Sequence, residues 1–443
     1  MKQKLRLFDF TMVMVSLVIG MGIFRTAATS ARAANDPAVY FTAWIFGGVV
    51  ALCGMLTYAE IGSRLPVTGG YYKVFSYTYH PSIAFAVNCI ILISNAASLT
   101  GVALIGSGYI SEALFASPLS DTGKAIIALL CIILFYGLNL AGLKMTARAQ
   151  SILMLIKISM VLLLISALFF PHAYYIGGTV RSVHPTSFTG WTRALGGALV
   201  AVSFTYGGYQ QTINFGNEVE NAPRNIPRGI FIGIAIILSL YLLVNISYYK
   251  ILGFDNLKNT QEIARVVVEK LFGKTGANIF SGLLFLAVLA YVNGQLLSNP
   301  RVMYAMSADR VLPEILQKKT KKKEVLVVSL SIFTALCILV LFFARTFEQL
   351  LGFVVFLDSI GMATSGAAIF KLRKNTAQLN SSGIYRIKWY PVIPLVFILA
   401  YIFVAASIAI ADFHTALTCC IVLASLVLLY FLLPKQRNNP PLP

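Results

Sequence analysis

The sequence predicts an all-α polytopic membrane protein with twelve transmembrane helices. Three observations lead there: an apolar composition, twelve apolar segments, and basic residues concentrated between alternate segments. Hydrophobic residues make up 58% of the 443 residues and charged residues 12%, with a mean hydropathy of +0.79. A soluble domain averages about 45–50% apolar and about 25% charged residues. The composition therefore excludes a soluble, disordered, fibrous or disulfide-rich secreted protein.

The twelve apolar segments each approach the length of about 20 residues that a membrane-spanning helix needs. They lie near 8–30, 39–62, 83–114, 124–142, 150–170, 194–215, 229–251, 276–299, 325–344, 347–370, 389–411 and 413–433. The first segment, which imitates a signal peptide, is interrupted by Arg25 and is interpreted as a retained span. Between spans seven and eight, residues 254–275 are polar except for an apolar pattern at 266–272, which predicts a short amphipathic helix outside the membrane.

The chain carries 35 basic and 16 acidic residues, a net charge of +19. With the amino terminus in the cytoplasm, 23 of the 35 basic residues fall on the cytoplasmic side, which favours a plasma-membrane protein with both termini inside. The lipid bilayer is the expected partner, and no nucleic acid is expected. The basic cluster at 318–323 is interpreted as a solvated inner loop, with binding to anionic lipid headgroups as the alternative. The six cysteines lie in apolar segments without a CxxC pair and are interpreted as small apolar residues.

Two spans contain glycine pairs beside large apolar or aromatic residues. The first span has Gly20 and Gly22 within Val18–Phe24, and the sixth has Gly207 and Gly208 within Phe204–Tyr209. One interpretation is close helix packing, because small residues let helix backbones approach. The other is a pair of broken helices, which mark the binding site in many transporters. Free N–H groups of one broken helix would bind a carboxylate, and free carbonyls of the other an ammonium.

Five motifs, in this order, resemble signatures of the amino acid–polyamine–organocation superfamily. They are Ile19–Phe24, Tyr58–Pro66 with Gly69–Tyr72, Phe204–Tyr209, Glu218–Arg228 and Ser298–Pro313. The nearest resemblance is to bacterial permeases related to the light chains of heteromeric amino-acid transporters. One departure concerns Met21, which stands where the superfamily usually has serine or threonine, so a hydroxyl donor to the carboxylate is missing.

The resemblance implies a single transport core over residues 1–388, built as a five-plus-five inverted repeat. Spans 1–5, at about 8–170, pair with spans 6–10, at about 194–370. Residues 389–443 then form two peripheral spans and a short cytoplasmic tail. Spans one and six are the two discontinuous helices of this fold.

The resemblance also implies a substrate site made mainly of backbone. The carboxylate is expected at the N–H groups of Met21, Gly22 and Ile23, beside Gly20. The ammonium is expected at carbonyls near Phe204, Thr205 and Tyr206, where the helix opens at Gly207. Phe204 or Tyr209 is the expected lid.

Charged and polar residues within the spans complete the candidate site. Lys157 lies in an apolar fifth span, where a cation is costly and therefore indicates a function; the alternative is a lysine that snorkels to the membrane surface. The resemblance places it where sodium-coupled relatives bind Na⁺, so it is expected to brace span one with Ser298, or to carry a proton, without sodium.

Glu60 is expected to close an inner gate by pairing with Arg64, and the alternative is that it relays protons. Glu218 is expected at the same gate or as a residue that holds its loop in place. The candidate pocket residues Asn95, Asn293 and Asp358 could instead join helices or, for Asp358, occupy a bend, and Asn88 carries the same alternatives.

The leading hypothesis is a secondary amino-acid transporter that works by alternating access. A polyamine or other organic-amine carrier is the alternative within the same superfamily. An intramembrane enzyme, a channel and a receptor are disfavoured, because the four histidines are scattered near span ends and no nucleophile–base pairing is visible. No catalytic residue, cofactor or metal site is expected. The sequence leaves open the accepted side chains, the transport mode and the need for a single-span partner subunit.

Overall fold

The computed structural model describes residues 5–65, 70–115, 119–141, 143–170, 185, 187–210, 219–260, 262–320, 325–343, 347–376 and 384–432. Fifteen α-helices occur within these ranges. They are α1 Leu7–Val18, α2 Gly22–Ala34, α3 Pro37–Arg64, α4 Gly70–Thr78, α5 Pro81–Leu114, α6 Asp121–Ala141, α7 Leu143–Ser166, α8 Phe188–Tyr206, α9 Ala222–Leu252, α10 Phe254–Asn259, α11 Ile263–Ala308, α12 Val327–Phe343, α13 Phe347–Asn375, α14 Val392–Ala411 and α15 Phe413–Leu432. No strand is present in the described ranges, where one isolated bridge joins Leu5 to Val219. The predicted all-α class is therefore confirmed.

Eight of the described helices are long and apolar enough to cross a membrane: α3, α5, α6, α9, α11, α13, α14 and α15. Two further helical stretches, Leu155–Phe169 and Val327–Phe343, are also apolar but shorter. Helix α15 is the least buried of the eight, which is the exposure expected of a helix that faces lipid. The helices thus agree with a polytopic membrane protein.

Polar residues begin several of these helices by binding their free N–H groups. The Asp36 carboxylate accepts a hydrogen bond from the Val39 N–H, and Pro37 follows at the first helical position of α3. The Ser187 hydroxyl accepts from Gly190 N–H at the start of α8. Such capping satisfies donors that have no partner inside the helix.

Helix α1 ends at Val18 and α2 begins at Gly22, so the first apolar segment is interrupted between residues 19 and 21. Neither α1, with 12 residues, nor α2, with 13, could alone cross about 30 Å of hydrocarbon. Helix α8 ends at Tyr206, and Gly208 then adopts a φ of 106°, which glycine tolerates because it has no Cβ. Both glycine pairs therefore coincide with breaks in helices.

The long helix α11 consists of two parts joined at Gly273, whose φ of 69° departs from helical geometry. The first part, 263–272, is the amphipathic helix predicted between spans seven and eight. Its buried face includes Ile263, Ala264, Val267 and Val268, whereas Phe272 is half exposed. The remainder of α11 continues as an apolar helix to Ala308.

Helix α14, expected to be peripheral, contacts α3, α8 and α13 at close range. The Phe397 ring packs so closely on Gly54 and Gly366 that a Cβ at either glycine would clash with it, and Ser407 is equally close to Gly196. These three glycines belong to α3, α8 and α13, so each contact depends on the missing side chain. Helix α14 is thus fitted to the core, while α15 remains largely exposed.

Two faces of the helix bundle are distinguished by contacts between helix ends. The proximal face carries Leu5 and the carboxyl ends of α3, α11 and α13. The distal face carries the carboxyl ends of α2 and α5 and the first part of α11. The distribution of basic residues predicts that the proximal face is cytoplasmic.

Candidate substrate site

The two broken helices touch at their breaks. A Cβ built on Gly22, the first residue of α2, would lie 2.7 Å from Cα of Thr205, next to the last residue of α8. The hydroxyls of Thr26 and Thr205 share a short hydrogen bond. Each hydroxyl also lies within hydrogen-bond distance of a carbonyl one turn earlier in its own helix, that of Gly22 or Ala201. The beginning of α2 and the end of α8 are therefore held in direct contact.

A tyrosine that the sequence analysis did not single out connects the two breaks. The Tyr241 hydroxyl of α9 lies 2.9 Å from the Val18 carbonyl, where α1 ends, and 3.3 Å from the Thr205 carbonyl. In the same helix, the Tyr248 hydroxyl donates to the Ile23 carbonyl at 3.2 Å. One face of α9 thus fixes both breaks through backbone oxygens. A tyrosine in an apolar span gives no sequence signal that separates this role from ordinary burial.

The start of α2 offers backbone donors. Met21 occupies the N-cap position without a side-chain hydrogen bond, and the Phe24 N–H turns back to the Met21 carbonyl at 3.2 Å. The Ile23 N–H makes no backbone hydrogen bond among the described residues. A helix start of this kind has unpaired N–H groups and a partial positive charge of about half a unit. It favours an anionic group such as a carboxylate.

The end of α8 offers the complementary acceptors. The Gly207 N–H returns to the Phe204 carbonyl at 3.2 Å, and the chain then leaves helical geometry. The last carbonyls of a helix lack intrahelical partners and carry a partial negative charge of about half a unit. Facing ends of opposite sign can accommodate the two charges of a zwitterion without any charged side chain.

The two candidate lids lie on different sides of α8. Phe204 is partly exposed and packs with Ala97 of α5 and with Leu350 and Val354 of α13. Tyr209 is buried, its hydroxyl 2.7 Å from that of Tyr401 in α14. Tyr206 is also buried and donates to the Trp44 carbonyl at 3.1 Å. Phe204 is therefore the aromatic residue that faces α5 and α13.

A narrow crevice, with a cavity volume of about 10 Å³, lies behind α8, between α3 and α14. It is lined by residues that include Phe46, Gly47, Ser203, Tyr206, Tyr209 and Tyr401. No residue of α2 or of the 19–21 break lines it. The crevice is therefore separate from the contact between the broken helices.

The candidate pocket asparagines make hydrogen bonds between or within helices. Asn95 Nδ2 of α5 donates to Asn299 Oδ1 of α11 at 2.7 Å. Asn293 Oδ1 of α11 accepts from Asn139 Nδ2 of α6 at 3.1 Å, and Asn88 Nδ2 donates to the Ala84 carbonyl within α5. Asn293 thus faces α6, away from Asn95, and both act as connections between helices.

Lys157 is buried within α7, with 8% of its surface exposed. In the described part of the chain, its ammonium makes no hydrogen bond to Ser298 or to a carbonyl near Gly20. The Ser298 hydroxyl donates instead to the Gly294 carbonyl of its own helix at 2.9 Å. Burial agrees with a functional lysine, whereas the brace to span one is not formed in this structure.

The predicted Glu60–Arg64 pair is present at the proximal end of α3, and a second arginine joins it. Glu60 is completely buried, and its Oε1 accepts from Arg64 Nε at 2.8 Å and from Arg373 Nε at 2.8 Å. Its Oε2 accepts from Arg373 Nη2 at 2.7 Å and from the Ile387 N–H at 2.8 Å. One carboxylate therefore joins the ends of α3 and α13 to the segment before α14. Glu218, the other predicted gate residue, lies outside the described residues.

Two further contacts complete this Glu60 network. Arg64 Nη1 donates to Thr376 Oγ1 at 2.8 Å, and the Arg373 guanidinium stacks on the Tyr390 ring at 3.5 Å from the centroid. Nearby on the proximal face, Lys73 of α4 binds Asp309 after α11 at 2.6 Å. The sequence pattern marks Arg373 and Lys73 only as basic loop residues, because a charge count does not identify partners more than 200 positions away.

A second group of charges lies on the distal face, where α5 ends and α11 begins. Arg265 Nε lies 3.3 Å from Glu112 Oε2 at the end of α5. Burial raises the pKa of Glu262, just before α11, to about 8; a hydrogen bond with Glu112 and that carboxylate's charge add to the rise, opposed by Arg25 and Arg265. Helices α2, α5 and α11 thus meet at a carboxylate that binds a proton near neutral pH.

We expect the stability of the protein to fall as the pH rises from about 5 to about 8. The folded protein binds the Glu262 proton more tightly than the unfolded chain, in which the pKa is near 4.5, so this contribution is complete at low pH and lost through pH 8. The melting temperature at pH 5 and pH 8 measures the effect. Glu262→Gln should reduce the difference between the two melting temperatures. Glu269→Gln, about two turns further along α11, should leave that difference unchanged. An unchanged difference in Glu262→Gln would contradict the assignment.

Comparison with known proteins places these features in a family. The family model described as "Amino acid permease" matches residues 5–432, so the chain belongs to the amino acid permease family of the amino acid–polyamine–organocation superfamily. It is a multi-pass membrane protein of amino-acid transport. The family resemblance stated from the five motifs is confirmed.

Individual relatives cover most of the chain. The chain is 26% identical to the "Serine/threonine exchanger SteT" of Bacillus subtilis (strain 168) over 413 residues, 92% of this chain and 91% of that protein. It is 26% identical to the human "Cystine/glutamate transporter" over 377 residues, 83% of this chain and 73% of that protein. It is 25% identical to the rat "Large neutral amino acids transporter small subunit 2" over 392 residues, 84% and 71% of the two chains.

Proposed function

We propose that the protein is a secondary amino-acid transporter that works by alternating access. The observation that carries the proposal is the contact between the two broken helices, with backbone N–H groups at the start of α2 close to backbone carbonyls at the end of α8. The Gly22–Thr205 contact and the Tyr241 hydroxyl bring these ends together. The carboxylate of the substrate binds at Met21, Gly22 and Ile23, and its ammonium binds at the carbonyls of Phe204, Thr205 and Tyr206.

The finer architecture belongs to the same proposal. Helices α1 and α2 together form the first of twelve spans, and α8 begins the sixth, as in a five-plus-five inverted repeat. The proximal face lies in the cytoplasm, in keeping with the bases there. Alternating access then requires the helices of the site to move relative to the others.

The Glu60 network is proposed as an inner gate. It joins the end of α3 to α13 and to the segment before α14 through four hydrogen bonds to one carboxylate. Because Arg373 of α13 holds Glu60 of α3 through two hydrogen bonds, separation of the two helices requires the loss of both. A buried charge pair of this kind has two discrete states, joined and parted, which suits a gate.

Lys157 is proposed to replace a sodium ion beside span one. Its burial in α7 without a described anionic partner supports a residue whose charge is used during the cycle. Under this proposal its ammonium reaches the carbonyls of the first break in another state of the cycle. Transport is then independent of sodium.

Uptake into proteoliposomes tests the proposed function. We expect labelled neutral amino acids to enter with or without sodium, and unlabelled amino acids to compete. Amino-acid amides and decarboxylated amines should compete at least tenfold less well, because they lack the carboxylate that α2 binds. Equal competition by the amines would support the polyamine carrier instead.

The same vesicles test Lys157. Lys157→Ala should weaken uptake, and Ser159→Ala, at an exposed position of the same helix, should not. If the lysine carries a proton, wild-type uptake rises with an inward proton gradient and the variant loses this response. Sodium-stimulated uptake by the wild type would contradict the proposed role.

A further inference from the structure

One carboxylate lies in the middle of the helix bundle. Asp358 is eleven residues after Phe347, about 17 Å along α13. Its Oδ1 accepts a hydrogen bond from Ser94 Oγ of α5 at 2.6 Å, and within the described part of the chain its Oδ2 has no protein donor. The residue is partly exposed, although Leu357 and Ser359 beside it are buried. The partial exposure of Asp358 means that there is accessible space beside its side chain, and Oδ2 is the carboxylate oxygen without a described donor.

Apolar and polar walls surround this space. One turn earlier in α13, Val354 packs with Ala97 and with Phe204. On the other side, Ser98 Oγ of α5 lies 2.6 Å from the Tyr291 hydroxyl of α11. The hydrogen-bond chain continues from Tyr291 through Gln295 and Asn299 to Asn95. Tyr291, Gln295 and Asn95 are all partly exposed. Ser98 is one turn after Ser94 on α5, so the chain of polar groups lies close to Asp358.

The space adjoins the contact between the broken helices. Phe204 stands next to Thr205, which touches the first residue of α2, and its ring packs against α5 and α13. A zwitterion bound between α2 and α8 therefore directs its side chain past Phe204, toward α5, α11 and α13. This step depends on the proposed function.

We propose that Asp358 is the specificity-determining residue of a side-chain subsite, and that the subsite selects amino acids whose side chain donates a hydrogen bond. A hydroxyl, amide or ammonium group of the substrate donates to Oδ2. Acidic side chains are excluded, because a second carboxylate beside Asp358 would be repelled in a site with little water. Apolar side chains of equal size bind less well, because they leave Oδ2 without a donor.

Competition between matched amino acids tests the subsite. Threonine and valine have nearly the same shape, as do glutamine and glutamate, so their inhibition constants against labelled alanine uptake isolate the polar group. We expect threonine to compete about tenfold better than valine, the gain of one hydrogen bond to a charged group. Glutamine should exceed glutamate by at least as much. Asp358→Asn should lower the glutamine-to-glutamate ratio to less than about threefold, since the charge is removed.

Asp412→Asn is the matched control, because this exposed carboxylate precedes α15 and lies outside the bundle. It should keep both ratios. If Asp358→Asn does not yield folded protein, the wild-type ratios still decide: equal competition by threonine and valine, or by glutamine and glutamate, overturns the subsite. Absence of any amino-acid uptake by the wild type would overturn the proposed function instead, so the two failures are distinguishable.

Discussion

Replacement of Gly22 by alanine is expected to reduce amino-acid uptake at least tenfold, and replacement by valine to abolish it. A Cβ at this position would lie 2.7 Å from Cα and 3.0 Å from Cβ of Thr205, so α2 and α8 would have to separate. Because the nearest obstruction is backbone, Thr205→Ala should not restore uptake. Initial uptake rates in proteoliposomes, normalised to folded protein, measure the effect.

Gly20 provides the matched control within the same break. A Cβ there would meet only the Val18 carbonyl, at an ordinary contact distance of 3.8 Å. Gly20→Ala should therefore retain most of the uptake. Equal losses in Gly20→Ala and Gly22→Ala would show that chain flexibility, and not the contact with Thr205, limits transport.

The second large effect is expected for Glu60→Gln. Glutamine offers one acceptor oxygen where Glu60 accepts four hydrogen bonds, and two guanidinium groups would remain without a counter-charge. Removal of one member of a buried charge pair costs about 3–5 kcal/mol. We expect a lower melting temperature in detergent and more than tenfold slower uptake.

Lys374→Gln removes one charge from the same end of α13 at an exposed position, and it should change neither quantity. Arg373→Gln should reproduce the effect of Glu60→Gln, and the double variant should cost less than the sum of the two. Additive losses would mean that Glu60 and Arg373 act independently, against the network seen in the structure.

Sequence patterns predicted the helical class and the Glu60–Arg64 pair, because each depends on local chemistry. The glycine pairs allowed two interpretations, and the family resemblance favoured the broken helices. Glycine weakens a helix locally, although the pairs Gly47–Gly48 and Gly196–Gly197 remain within α3 and α8. Residues 60 and 64 share one helix face. The kink at Gly273 likewise follows an apolar pattern that stops and resumes. These features need no knowledge of distant partners.

The remainder of the site depends on contacts between distant segments. Arg373 is more than 300 residues from Glu60, and Tyr241 reaches two carbonyls that any buried tyrosine could bind. The side of α8 that Phe204 and Tyr209 occupy is set by how α3, α5, α13 and α14 pack around that helix. The close fit of α14 depends on glycines in three other helices, which the sequence of α14 does not reveal.

The proposed receptor for the zwitterion is made of helix ends, and this has a consequence for transport across an energised membrane. The partial charges at the start of α2 and the end of α8 are about equal and opposite, and neither can gain or lose a proton. Over a complete cycle the fixed charges of the protein return to their starting positions, so the net charge moved is that of the substrates and of any proton carried. One elementary charge is worth about 2.3 kcal/mol per 100 mV. Exchange of neutral amino acids without protons therefore proceeds at zero net charge, and the concentration ratios on the two sides, rather than the voltage, set its direction.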